Sequence, residues 1–229
     1  MNLPRPETAS RAGGVQVAVA LVLLAATLVT LGAFWFRGPG VVSGGGLDLA
    51  ALPESADAFG PVPDFELVDQ RGRVVTRETL LGSPWVMATI FTRCTGPCPM
   101  ISERMAKLQR KLDGTGVRLV SISVDPAYDT SERLATYAAA YDADPERWLF
   151  LTGSEAAVQA LVTGGFWMSA VRAEDPDVPA GEAVTHDTRL VAVDAAGERR
   201  GWYDQHDSTE VGRLIERMRH LADQAAANR

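Results

Sequence analysis

Three kinds of hydrophobic pattern follow one another along the chain. The first is long and unbroken. Val15 to Phe36, VQVAVALVLLAATLVTLGAFWF, carries no charge and a single amide, Gln16. A helix rises about 1.5 Å per residue, so this run reaches ~33 Å and is long enough to cross a hydrocarbon core of ~30 Å. It has no polar stripe, exceeds a signal-peptide apolar region and meets no clear small-x-small cleavage site, so it predicts an uncleaved transmembrane anchor at 15–36. Arg5, Arg11 and the terminal amine precede it against Glu7, and Arg37 is the next basic residue before Arg71. That bias places residues 1–14 in the cytoplasm and the rest outside, in a bacterial periplasm.

The second pattern is no pattern. Residues 37–60, RGPGVVSGGGLDLAALPESADAFG, are rich in Gly, Pro, Ser and Ala without a sustained period. They read as a flexible linker with an end-to-end distance of roughly 25–30 Å.

The third occupies 61–225, before a short tail at 226–229. Phe65–Val68 and Arg73–Val75 flank a DQRG turn and predict a hairpin. Trp85 to Phe91, WVMATIF, is an apolar run of strand length, as expected for a strand buried on both faces. Ile101, Met105, Leu108 and Leu112 then recur at helical spacing, with Glu103, Arg104, Lys107 and Lys111 on the rest of the cylinder, and Gly114 follows as a stop. Strands at 117–124 and 148–151 alternate with helices at 131–141 and 155–162. A second hairpin brackets DAAGE, from Arg189–Val193 to Arg199–Tyr203. A final helix runs from about Ser208 to Ala225, with Asp207 and Glu210 forming a capping pattern. Alternating strands and helices predict an α/β domain with a mostly parallel central sheet covered on both faces.

Composition supports a folded core, with 46% hydrophobic and 22% charged residues. The net charge of −7, with no Lys/Arg cluster, gives no electrostatic footprint for a nucleic acid. The chain has only two cysteines, too few for a disulfide scaffold. They sit in FTRCTGPCPM, with three residues between them. Pro97 and Pro99 locate a helix start there, because proline is tolerated in a first turn where its missing N–H has no partner. Cys98 therefore falls in the first helical turn and Cys94 in the loop leaving the buried strand. The helix N-terminus is expected to favour a thiolate at Cys98.

Three readings of the pair stand open: a structural disulfide, a redox-active dithiol, or part of a metal site. The first closes only a very short loop, where a crosslink gains least. A third ligand would separate the other two. Of three histidines, His220 lies in the last helix and His206 in the loop before it. His186, in AVTHDTRL, sits just before a strand, where it can face the cysteine loop or merely bond within its own loop. Two thiolates and one imidazole form a trigonal set that suits copper better than structural zinc, which needs a fourth ligand such as Asp187 or water. Asp125 and Asp129, in VDPAYDT, are expected to fix a turn and cap the helix near Ser131.

These motifs together resemble the Sco/SenC family of membrane-anchored copper proteins that assist cytochrome c oxidase assembly. Thr92-Arg93-Cys94-Thr95-Gly96-Pro97-Cys98-Pro99 is similar to the family's T-x-C-P-x-x-C-P. Ser121 to Gly153 is similar to its S-x-D-P-x-x-D-T segment and the W-x-x-L-T-G beyond. Thr185-His186 ahead of LVAVDAAG is similar to its histidine before a strand and D-x-x-G turn. The resemblance implies a thioredoxin-like three-layer α/β/α sandwich around a mixed sheet. It further implies that Cys94, Cys98 and His186 ligate one copper ion, as Cu(I) or Cu(II), received from a periplasmic donor and passed to the copper-bearing oxidase subunit. Disulfide reduction by Cys94 and Cys98 is the alternative activity. Thr95 stands where the family usually has proline and Thr185 where many members have aspartate. Asp187 is then the candidate carboxylate behind the histidine. A mobile flap at 172–185 would carry His186.

Overall fold

The computed structural model describes residues 58–175 and 177–228. The anticipated anchor at 15–36 and most of the linker lie outside the described residues. Among those described, no helix is long and apolar enough to cross a membrane.

Both predicted hairpins form, and each is closed by the same device. Strands β1 (Glu66–Asp69) and β2 (Val74–Thr76) pair antiparallel, Glu66 opposite Thr76. In the turn between them, one carboxylate oxygen of Asp69 accepts the backbone N–H groups of Arg71 and Arg73, and Gly72 adopts φ +74. A short helix α1 (Arg77–Leu80) follows. Far along the chain, β8 (Leu190–Val193) and β9 (Arg199–Tyr203) repeat the pattern. There Asp194 accepts from Ala196 and Glu198 N–H, and Gly197 takes φ +81. An Asx side chain replaces the missing backbone partners, and glycine supplies the left-handed residue at no steric cost.

The apolar run predicted as a buried strand is β3 (Trp85–Ile90), each residue of which is buried. Successive side chains of a strand point to opposite faces, so complete burial means that the sheet is covered on both. Helix α2 (Cys98–Lys111) crosses to β4 (Arg118–Ser123), and α3 (Ser131–Ala139) crosses to β5 (Trp148–Thr152). Thus β3, β4 and β5 are mutually parallel. The hairpins join this trio antiparallel, one on each side, in the order β2-β1-β5-β4-β3-β8-β9. The sheet is therefore mixed, and the parallel pairing expected from sequence is confined to its centre.

Helix α4 (Glu155–Gln159) widens at Ala160–Gly165 into a π-helical turn. Next comes a ribbon that periodicity did not predict: β6 (Ala170–Arg172) pairs antiparallel with β7 (Val184–His186) outside the main sheet. Helix α5 (Ser208–Ala227) closes the chain, with the Asp207 side chain accepting from Thr209 and Glu210 N–H as its cap pattern predicted. The cap of α3, however, is Thr130, which accepts from Arg133 N–H, so Asp129 is released for other work.

Candidate metal centre

Register explains how His186 meets cysteines far upstream. In the antiparallel pair β3–β8, Trp85 lies opposite Val193 and Met87 opposite Val191. Continued along the same diagonal, that register sets residue 189 against Thr89 and brings the chain just before it to the end of β3 where the cysteine loop departs. The Thr89 hydroxyl donates to the Asp187 carbonyl at 2.7 Å, tying the two strands at this level.

The cysteine loop is short and heavily bonded. Cys94 N–H donates to the Phe91 carbonyl, and Pro97 precedes α2, whose first residue is Cys98. Asp129 receives the N–H and hydroxyl of Thr92 and the Ser123 hydroxyl. Asp125, fully buried, receives Arg93 at 2.6 Å and Arg172 at 2.6 Å. The two aspartates therefore do more than shape a turn. They fasten the cysteine loop to the end of β4, and Asp125 links it to the ribbon.

Cys94, Cys98 and His186 converge, each offering a ligand atom within 4.8 Å of the others. Both cysteines are free thiols; Cys98 is buried and Cys94 half-buried. His186 is 8% exposed, with its ring edge-on to Phe91 at 5.8 Å. Its Nδ1 lies 2.9 Å from the Asp187 carbonyl and 3.0 Å from the Thr89 hydroxyl. A carbonyl only accepts, and the Thr89 proton is already committed to that carbonyl. The proton of the neutral ring is therefore assigned to Nδ1. Nε2 keeps its lone pair and faces Cys98 Sγ at 3.2 Å. A hydrogen bond behind the ring that fixes the tautomer is the usual arrangement for a metal-ligating histidine.

Burial pushes the His186 pKa down, against the pull of the Asp187 carbonyl, so the ring is neutral and available to a metal at pH 7. The Cys98 thiol behaves differently from the sequence expectation. Burial pushes it up, the neighbouring Cys94 sulfur adds to this, and the Phe91 N–H aimed at its sulfur opposes it weakly. Desolvation outweighs the helix N-terminus, and the unloaded residue is a thiol. A metal must displace that proton to gain a thiolate.

The Asp187 carboxylate is not behind the ring. It is gripped by Arg189 through the guanidinium at 2.5 Å and the backbone N–H at 2.9 Å, and only the Asp187 main-chain oxygen touches the imidazole. The same grip removes Asp187 as a ready fourth zinc ligand. His206 is exposed and His220 half-buried on the last helix, and neither joins the cluster. Thr89 was missed because a threonine inside an apolar run reads as core. Its one signal was being the sole hydroxyl in WVMATIF.

Two soft sulfurs and an imidazole at a strand-to-helix junction suit a soft, three-coordinate metal ion. Fold and site together define a thioredoxin-like α/β domain whose redox-type cysteine pair has been joined by a histidine. The chain belongs to the SCO1/SenC family, whose profile matches residues 54–223. It is 31% identical over 157 residues to the SCO1 protein homolog of Bacillus subtilis, covering 67% of this chain and 79% of that one. Among solved structures it is similar to BsSco, described as a member of the Sco family of cytochrome c oxidase assembly proteins with a disulfide switch. The identity is 29%, the TM-score 0.63, and the match covers 72% of this chain and 96% of that one. Copper-bound ScoI of Bradyrhizobium japonicum shares the fold at 22% identity and TM-score 0.60, over 69% and 99% of the two chains.

Proposed function

We propose that this chain is a membrane-tethered copper-binding protein that delivers copper to the binuclear copper centre of cytochrome c oxidase. The observation that carries the reading is the convergence of Cys94, Cys98 and a tautomer-fixed His186 within 4.8 Å. Membership of a family that includes an oxidase assembly protein and a copper-bound structure supports the cargo and the acceptor. The apolar run Val15–Phe36 is the tether and residues 37–60 the linker, with the domain on the periplasmic side.

Copper is here the cargo. Loading replaces the Cys98 proton and the Cys94 proton, which pass to solvent or the donor, while neutral His186 contributes the Nε2 lone pair. Three-coordination leaves room for a thiolate of the acceptor, so the ion can pass by stepwise ligand exchange. The half-buried position of Cys94 favours a second activity of the same pair. Two thiols give two electrons and two protons to an acceptor disulfide, leaving a Cys94–Cys98 disulfide and a reduced acceptor.

Metal analysis of the reduced full-length chain in detergent tests the reading. About one copper per chain is expected, lost in Cys94→Ala and Cys98→Ala and weakened in His186→Ala. A chain that binds no copper yet turns over disulfides is a reductase instead.

A further inference from the structure

The tip of the β6–β7 ribbon lies directly against the cysteine loop. Ala180–Glu182 forms a single 3-10 turn, and the Gly181 carbonyl accepts the Thr95 N–H at 3.3 Å. The approach is so close that a side chain here would force its neighbours to shift. A Cβ on Gly181 would stand 2.7 Å from Thr95 Cγ2, 2.8 Å from Thr95 Oγ1 and 3.0 Å from the Arg93 carbonyl oxygen. Thr95 directly follows Cys94 in the cysteine loop, and the ribbon that carries Gly181 also carries His186, opposite Ala170. One hydrogen bond therefore joins the segment bearing the sulfurs to the segment bearing the imidazole.

We propose that Thr95 and Gly181 form a latch that positions the histidine-bearing ribbon over the cysteine loop, and that its release opens Cys94 to an incoming thiol or metal carrier. Two residue choices make the latch. Thr95 supplies an N–H, which a proline in its place would lack, and Gly181 supplies a surface with no side chain. The ribbon needs such a fastening, because a two-stranded hairpin is marginal by itself. It has a second anchor nearer its base, where Arg172 meets Asp125. Release of the latch thus swings the tip while the base stays attached.

The latch concerns access to Cys94 and does not depend on copper. Its effect on copper exchange does rest on the function proposed above, so the primary test is done without metal. The full-length, reduced chain is alkylated under metal-free conditions, and modification of Cys94 is followed by mass spectrometry. A net hydrogen bond of ordinary strength holds the closed form, so its loss raises the open population and the alkylation rate about fivefold. Thr95→Pro and Gly181→Ala are expected to show that increase, together with faster cleavage after Glu182 and Glu174 by a glutamate-specific protease. Thr95→Ser keeps the N–H and is expected to match the unmodified chain. Wild-type alkylation and cleavage rates in Thr95→Pro overturn the latch, and so does a Thr95→Ser as fast as Thr95→Pro. If Gly181→Ala does not fold, Thr95→Pro alone decides. In a second arm, copper transfer to a chelator is expected to quicken in Thr95→Pro. An unmodified chain that takes up no copper overturns the copper reading and leaves the latch to be judged on alkylation.

Discussion

Replacing Thr89 by valine isolates what holds the imidazole. The two side chains have nearly the same shape, and the site is 1% exposed, so packing changes little. The hydroxyl, however, gives a bond to the Asp187 carbonyl at 2.7 Å and stands 3.0 Å from His186 Nδ1. Neutral hydrogen bonds are worth about 1 kcal/mol net each, and the Asp187 oxygen keeps the ring N–H at 2.9 Å, so no buried carbonyl is orphaned. The expected loss of stability is therefore about 1–2 kcal/mol, a fall in Tm of roughly 2–8 °C for a domain of this size. Copper affinity should fall about 10- to 100-fold, as removal of a partner behind a ligating histidine does, because the ring gains rotational freedom. Competition with a Cu(I) chelator under anaerobic conditions measures the second quantity, and thermal unfolding of the metal-free chain measures the first. Thr89→Ser retains the hydroxyl and should recover most of the affinity while losing some packing. Unchanged affinity in Thr89→Val, alongside the expected destabilisation, would refute the claim that this hydroxyl orients the ring.

Other perturbations address separate parts of the structure. Burial pushes the Asp125 carboxyl up, but Arg93 and Arg172 overrule it and hold it below its ordinary value. A depressed folded pKa gives stability that is present above the unfolded value of about 3.9 and is lost as pH falls through the lower folded value. Asp125→Asn should therefore destabilise the chain at pH 7 and flatten the acid limb of its urea midpoint below about pH 4. An acid limb unchanged from wild type would remove Asp125 as its source. Asp207→Ala strips the side-chain acceptor from the first turn of α5 and should cost about 1 kcal/mol in denaturant unfolding without altering copper binding. Mild oxidation should join the two free sulfurs and abolish copper uptake, with full recovery on reduction; mass spectrometry and metal analysis on one sample decide it.

The strand-to-helix junction was legible because its signals are local. An apolar run of strand length, two cysteines and the prolines Pro97 and Pro99 fall within 85–99, and each constrains only its own backbone. The hairpins were legible for the same reason, since Asp and Gly act within their own turns. The convergence of His186 with the cysteines is different in kind. It depends on which strand β8 chooses as a neighbour and in what register, a long-range pairing that no local period encodes. Resemblance to the Sco/SenC pattern supplied it where the residues left the histidine's role open. The role of Thr89 follows from that pairing and those of Asp125 and Asp129 from the parallel pairing of β3 with β4, equally long-range, so all three were hidden. The Cys98 thiolate expectation failed because helix position can be read from sequence, whereas depth of burial cannot.

The register of the small ribbon carries a further consequence for the site. Along β7, Val184 and His186 are buried and Thr185 is exposed, the alternation that a pleated strand imposes. Thr185, standing where many family members have aspartate, thus points away from the ring it precedes. Behind the imidazole stand instead a main-chain carbonyl, that of Asp187, and the Thr89 hydroxyl. A main-chain acceptor does not depend on the residue that carries it, so the tautomer survives changes at 185 and 187 alike. It does not survive a slip of Ala170 against His186 by one position, which would turn the imidazole outward and Thr185 inward. The metal geometry therefore rests on strand register more than on any carboxylate beside the histidine. Asp187→Asn, which leaves the carbonyl in place, should bind copper as the unmodified chain does.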